Sequence, residues 1–185
     1  RVKWVGWVEE CGSVSFHGAS GEDDTASCLV DSIVSDSSGD KSIAKRRKRA
    51  FVTSGEWAGD LGGTSADVRC ALAATAGELG GTWKAFIASD GSDPIAHVED
   101  VDGGWFNVKR SVRVFANRAA LASSGGLSNT HLQDETGRVS INDWWTGSAS
   151  ESCSDWTSTS SGLSAPTGNS ISSCFSKQSL LCVEQ

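Results

Sequence analysis

Six cysteines carry the most restrictive chemistry in this chain of 185 residues. An even number of cysteines favours disulfides and an oxidising compartment, whereas a zinc site needs closely spaced thiolates and imidazoles. No Cys-x-x-Cys pair occurs, and none of the three histidines lies at ligand spacing from a cysteine. We therefore predict three disulfides, no metal or cofactor, and an extracellular protein, either secreted or at the cell surface.

Motifs for catalysis are missing from the sequence. It contains no Gly-x-Ser-x-Gly elbow, no His-Glu-x-x-His helix and no phosphate-binding P-loop pattern. Serine is so abundant that a Ser/His/Asp triple could form by chance. The acidic clusters at 22–24 and 99–102 offer oxygens to calcium, but solvated turns have the same composition and are the interpretation that we favour. We predict that the protein is not an enzyme.

Charge and hydropathy argue against nucleic-acid binding and against a membrane span. The net charge is −7, from 16 basic and 23 acidic side chains, and five of the basic ones form the run 45–49. An acidic body repels nucleic acid, and no apolar run approaches the roughly 18 residues of a membrane span. The basic run is a linker, a contact for polyanions or a cleavage site; we favour the linker.

Residues 1–50 are predicted to form a small β arm that ends in this linker. The segment 1–8 favours a strand with apolar side chains on both faces, and 28–34 is the returning strand. A Cys11–Cys28 bridge would staple the hairpin. The strand's apolar side chains are predicted to drive self-association: Val2, Trp4, Val5, Trp7 and Val8.

Residues 51–185 are predicted to form a second domain. Its strand candidates are 51–53, 83–88, 105–108, 112–115 and 179–183, and its helices are 66–79 and 117–123. Ser65 is expected to cap the first helix, whose apolar face contains Val68, Leu72 and Leu79 together with the alanines. Between Trp145 and Cys174 the chain is mostly Ser, Thr and Gly.

Several segments of the second domain are similar to a known family. The segments 65–70, 81–89, 106–109, 117–121, 145–147, 153–156 and 181–184 resemble endostatin, the C-terminal domain of certain collagens. A secreted bacterial domain family of unknown function, with the same C-type-lectin-like fold, begins with the Phe-Val-Thr-Ser-Gly pattern found here at 51–55. The ordered set covers roughly residues 51–185.

The resemblance implies an α+β, C-type-lectin-like domain with two short helices, short antiparallel strands and long loops. It also implies the bridges Cys70–Cys182 and Cys153–Cys174, which leaves Cys11 and Cys28 as the third pair. The calcium motifs of sugar-binding C-type lectins are absent, as are the histidines of the endostatin zinc site. Lys84 and Lys109 fall on basic positions that endostatin uses for heparin.

A candidate ligand surface combines aromatic and polar side chains: Trp105, Asp143, Trp144 and Trp145, with Lys84 and Lys109. Flat indole faces match sugar rings, although tryptophans at the corresponding positions of the family mostly pack in the core. Two functions remain. The first is a structural subunit that assembles into an extracellular filament, fibre or surface layer through the arm. The second is a recognition module for cell adhesion or carbohydrate binding, which takes a polysaccharide or protein ligand without calcium.

Overall fold

The chain folds as two compact units, Arg1–Arg47 and Lys48–Gln185. The computed structural model describes residues 47–61, 65–123, 131–168 and 170–185 in full, and the backbone of residues 63–64 and of five strands within residues 1–46. The unit boundary lies three residues before the predicted one, because a strand of the second unit already begins at Lys48.

The first unit contains a three-stranded antiparallel sheet and a separate two-stranded ribbon. The sheet has the order β1-β4-β5, and β2 pairs with β3. The register Val5↔Val34 confirms that 28–34 contains the returning strand, whereas the intervening ribbon was not predicted. Two acidic residues expected in a turn, Asp23 and Asp24, lie in β3. The strands are β1 (Val5–Trp7), β2 (Val14–His17), β3 (Asp23–Ala26), β4 (Val30–Ser35) and β5 (Lys41–Lys45).

The second unit is an α+β domain built on a mixed sheet. The strand order is β10-β13-β6-β8-β9, with β7 also paired to β13. The β10–β13 and β6–β8 pairs are parallel, so the expectation of antiparallel strands alone was wrong. The strands are β6 (Lys48–Val52), β7 (Trp83–Ala85), β8 (Trp105–Phe106), β9 (Arg113–Phe115), β10 (Trp144–Trp145), β11 (Ser164–Pro166), β12 (Ile171–Ser173) and β13 (Ser179–Glu184).

Four helical segments occur in the described part of this unit, two more than predicted. The additional ones, α2 and α4, are single turns of four residues each, too short for a periodic pattern. The segments are α1 (Gly63–Ala76), α2 (Pro94–His97), α3 (Arg118–Ser123) and α4 (Cys153–Trp156).

Helix α1 ends three residues before its predicted end. A Cβ at Gly77 would lie 2.3 Å from the carbonyl oxygen of Glu135, so the chain passes another loop too closely for a larger residue. The next residue, Glu78, has a φ of 55°, which takes the backbone out of the helix. Asp67 accepts a hydrogen bond of 2.8 Å from the N–H of Ala85 and so connects α1 to β7.

Strand β13 is buried on both faces and divides the core in two. Leu180 and Cys182 belong to one apolar cluster, which α1 and the Cys153–Cys174 region complete. Leu181 and Val183 belong to the other, which includes Leu121 of α3. The sheet is therefore covered on both sides.

The predicted apolar face of α1 is confirmed for Leu79 and two of the alanines but is wrong for Val68 and Leu72. The helix turns Ala66, Cys70 and Ala74 towards the sheet, while Val68 and Leu72 are 55% and 64% exposed. Cys70 forms a disulfide with Cys182 of β13 across a Cα–Cα distance of 5.6 Å. Such a short separation brings helix and sheet together on the side with small residues, and the larger side chains consequently face away.

Candidate functional site

Two disulfides fasten the second unit. Cys70–Cys182 joins α1 to β13, and Cys153–Cys174 joins α4 to the segment after β12. Both pairings predicted from the resemblance are confirmed. The third predicted pair, Cys11 and Cys28, lies outside the described residues.

Most of the basic run 45–49 lies in strands, and only residues 46–47 connect them. Lys45 ends β5 and Lys48 begins β6, so only two residues separate these strands. Lys48 Nζ donates a hydrogen bond to the carbonyl oxygen of Gln185. Arg49 is buried. The last two residues of the run therefore belong to the central sheet of the second unit.

Arg49 forms a buried ion pair with Glu184 of β13. The two residues are 5% and 1% exposed, and Arg49 Nε lies 2.8 Å from Glu184 Oε2. The same carboxylate oxygen accepts from the backbone N–H of Arg49 at 3.1 Å. The guanidinium also donates to the carbonyl oxygens of Leu79 and Gly80. This pairing explains a charged residue inside a central strand, since a buried charge needs hydrogen-bonding partners.

The three tryptophans of the predicted ligand surface are core side chains. Trp105, Trp144 and Trp145 are all at most 4% exposed. Trp105 Nε1 donates to the carbonyl oxygen of Glu184 at 2.9 Å, and Trp145 Nε1 donates to that of Trp57 at 2.8 Å. Their rings therefore offer no face to a sugar.

The polar residues of the same predicted surface have different surroundings and different partners. Asp143 Oδ2 accepts hydrogen bonds from Thr167 at 2.6 Å and from Ser170 at 3.3 Å, which orders the turn between β11 and β12. Lys84 is half-buried and donates to the carbonyl oxygen of His97 at 3.2 Å. Lys109 is exposed. The charged members thus do not form one polyanion site with the buried indoles.

Ser89, His97 and Asp67 come together beside α2. Ser89 Oγ lies 3.1 Å from His97 Nδ1, and His97 Nε2 lies 3.7 Å from Asp67 Oδ2. A serine, an imidazole and a carboxylate in this order are the components of the catalytic triad of hydrolases that use a serine nucleophile. The sequence offered no pattern that would single out these three residues.

The surroundings of Ser89 do not complete a catalytic arrangement. Ser89 is only 5% exposed, and the 3.7 Å separation is too long for a hydrogen bond. The backbone N–H groups of Ser89 and Asp90 donate to Ser92 and Asp155, so neither is available to stabilise an oxyanion. This cluster attaches α2 to α1 and to the segment after β7, and we assign it no chemistry.

The segment α4 is a left-handed turn. Its four residues have φ angles from 51° to 59°, which L-amino acids adopt at a cost of about 1–2 kcal/mol each. Cys153 is held by its disulfide, and Trp156 is buried, with its Nε1 bonded to the carbonyl oxygen of Ala88. These attachments maintain the turn and tie the Ser-rich segment to the core.

The β11–β12 hairpin carries an exposed apolar surface. Leu163, Ile171 and Phe175 are 40%, 66% and 72% exposed, and we call them the hairpin surface. The hairpin is held by Cys153–Cys174 and by a bridge between Trp145 and Thr167. Its apolar side chains are therefore displayed on a fastened element. Three isolated apolar residues in a Ser-rich stretch were the only sequence signal for it.

Three further observations concern metal ligands, membrane-spanning helices and similarity to known proteins. Within residues 47–61, 65–123, 131–168 and 170–185, no group of three or more His, Cys, Asp or Glu side chains is arranged to hold a metal ion. No helix in the described part of the chain is long and apolar enough to span a membrane. The chain matches no protein-family model, and no curated protein is significantly similar to it.

Proposed function

We propose that the protein is a non-enzymatic structural subunit that assembles outside the cell through its N-terminal strand. The second unit would be a C-type-lectin-like, endostatin-like domain. Support for this fold comes from the mixed sheet with few helices and from the two disulfides at the expected cysteines. Disulfides also support an oxidising, extracellular location.

The position of β1 carries this proposal. Among the described strands of the first unit, β1 pairs only with β4 and so lies at the edge of the sheet. An edge strand presents unpaired backbone N–H and C=O groups, to which a strand of another chain can add. Beginning at Arg1, the first eight residues include five apolar ones.

The apolar content of this segment strengthens the case. Burial contributes about 25 cal/mol per Å², and an aromatic side chain covers roughly 150–250 Å², so Trp4 and Trp7 together represent several kcal/mol. Docking of the strand onto a neighbouring subunit would recover this free energy. Repetition of the contact from subunit to subunit would build a head-to-tail filament.

A recognition module is the second candidate. It is favoured by the exposed ring of Phe175, which is followed by Ser176 and displayed on a hairpin rich in hydroxyl groups. Such a surface suits a protein or polysaccharide ligand. The binding would not require calcium, because the lectin calcium motifs are absent from the sequence.

Removal of residues 1–10 separates the two candidates. The mass of the intact and truncated proteins is measured by sedimentation equilibrium over a wide concentration range. We expect the intact chain to form large assemblies and the truncated chain to lose them. The full-length variant W4S/W7S should lose assembly as well, while V139S/I141S, which changes two exposed apolar residues of the second unit, should retain it. An intact protein that is always monomeric, or a truncated protein that assembles normally, would leave the recognition module.

A further inference from the structure

Helix α1 presents an uncharged, largely apolar face to solvent. Its exposed positions follow helical spacing, and we call them the helix stripe: Val68, Ala71, Leu72, Thr75 and Ala76. Thr75 Oγ1 donates to the carbonyl oxygen of Ala71 at 2.8 Å, so the one hydroxyl of the stripe is bonded within the helix. A solvent-facing helix surface normally carries charged residues. This helix carries them elsewhere.

The helix stripe and the hairpin surface belong to the same side of the sheet. Buried residues of α1 and of the hairpin, including Ala74 and Ala165, share one core cluster. Trp57 connects them. The guanidinium of Arg69 on α1 lies 5.1 Å from the ring centroid of Trp57. The backbone of Trp57 is bridged to Gln178, whose side chain donates to Ser172 of β12. One side of the unit thus displays two apolar patches.

The combined apolar area of the two patches is close to the non-polar area that a standard interface buries on each partner. Full burial of an aliphatic side chain corresponds to roughly 100 Å², and that of an aromatic one to roughly 200 Å². With their exposed fractions, Val68, Leu72 and the hairpin surface together offer about 370 Å² of apolar area. A standard interface buries about 800 Å² per partner, of which about 450 Å² is non-polar. The two patches therefore supply most of the non-polar part of one interface, and the polar surface around them would supply the rest.

If two copies of the chain come into contact, their charge favours contact through these patches over contact through the rest of the surface. The chain has a net charge of −7, so two copies repel each other over most of their surface. Neither the helix stripe nor the hairpin surface contains a carboxylate. Two copies can therefore bring these patches into contact without placing carboxylates of the patches against each other.

We propose that this side of the second unit binds a second copy of the same chain. A two-fold axis would pack the helix stripe of each copy on the hairpin surface of the other. The inference rests on the proposed structural function and adds a second contact to that of the N-terminal strand. Two distinct contacts per subunit let an assembly grow as a chain of paired subunits.

Charge substitutions in the full-length protein test the interface by sedimentation equilibrium. L72E and F175E each place an unpaired charge in it and should weaken self-association at least about tenfold. I141E adds the same charge at a residue that is 93% exposed and outside both patches, and should leave association unchanged. An equimolar mixture of L72K and F175E should associate more tightly than either variant alone, because one of the two symmetric contacts then pairs opposite charges.

Each outcome discriminates. Unchanged assembly of both L72E and F175E overturns the inference, and if the truncated protein still fails to assemble, the strand-mediated function stands without it. Equal weakening by I141E shows a general effect of charge and also overturns it. A monomeric intact protein defeats both proposals. Should either glutamate variant fail to fold, L72S and F175S provide milder versions of the same comparison.

Discussion

The buried Arg49–Glu184 pair gives the sharpest stability prediction. The substitution R49M removes the guanidinium while keeping an unbranched apolar side chain. It leaves the Glu184 carboxylate in the core with the backbone N–H at position 49, 3.1 Å away, as its remaining partner from that residue. Loss of one member of a buried ion pair typically costs about 3–5 kcal/mol, because the other charge is left uncompensated.

The structure places R49M near the middle of that range, at about 4 kcal/mol. Glu184 is 1% exposed, so water cannot replace the lost partner, but the remaining N–H contact relieves part of the cost. E184Q should cost less, about 2 kcal/mol, because the amide oxygen still accepts from Arg49 and the guanidinium keeps the carbonyl oxygens of Leu79 and Gly80. The double variant R49M/E184Q removes both charges and should be more stable than R49M alone.

Urea unfolding followed by tryptophan fluorescence, under non-reducing conditions, measures these differences. R113M is the matched control, since Arg113 is exposed on β9 and its loss should change the free energy of unfolding by less than about 0.5 kcal/mol. The reasoning is refuted if R49M costs no more than the control. It is also refuted if the double variant is destabilised by the sum of the two single changes, because the two groups would then be uncoupled.

Three further predictions address the rest of the second unit. S154G should raise the free energy of unfolding by about 0.5–1 kcal/mol in the same urea assay, because Ser154 is exposed and has a φ of 54°; a loss of stability would contradict this. The double variant C70A/C182A opens a loop of 112 residues and should lower the free energy of unfolding by about 5 kcal/mol. C153A/C174A opens a loop of 21 residues and should lower it by about 3 kcal/mol. The reverse order would argue against the chain-entropy account. Burial raises the pKa of the Asp134 carboxyl, but hydrogen bonds from Thr136 and Arg138 outweigh this effect and hold the pKa below its ordinary value. The ionised carboxylate therefore stabilises the folded protein at pH values above the ordinary Asp pKa of about 4. This stability is lost as the pH falls through the depressed pKa of the folded state. D134N should therefore lose less stability on acidification than the native protein, and identical acid dependence in unfolding experiments would contradict that.

The motif at 51–55 is explained by architecture rather than by ligand binding. Thr53 Oγ1 accepts from the N–H of Leu180 at 2.9 Å, which continues the contact between β6 and β13 beyond the strand. The N–H of Ser54 donates to the buried carboxylate of Glu135 at 2.9 Å. A Cβ at Gly55 would lie 2.9 Å from the ring of Trp57. Each polar or small residue of the motif therefore has a structural role.

The sequence alone was sufficient for part of the secondary structure and for two covalent links. Apolar and β-branched runs predicted β6, β7 and β13, because such residues favour a pleated and buried surface. The cysteines at 70, 153, 174 and 182 pair as the resemblance implied. These features depend on residues near in sequence or on a known pattern of pairing.

Tertiary structure alone decided which side chains face solvent. Apolar spacing put Val68 and Leu72 on the buried face of α1 together with the alanines, but of that set Ala66 and Ala74 face the sheet, whereas Val68 and Leu72 do not. The short Cys70–Cys182 connection makes close approach to the sheet the stronger requirement, and small residues satisfy it. Arg49 follows the same logic: a cation in a basic run is typical of a solvated segment, unless a carboxylate 135 positions away enters the same core.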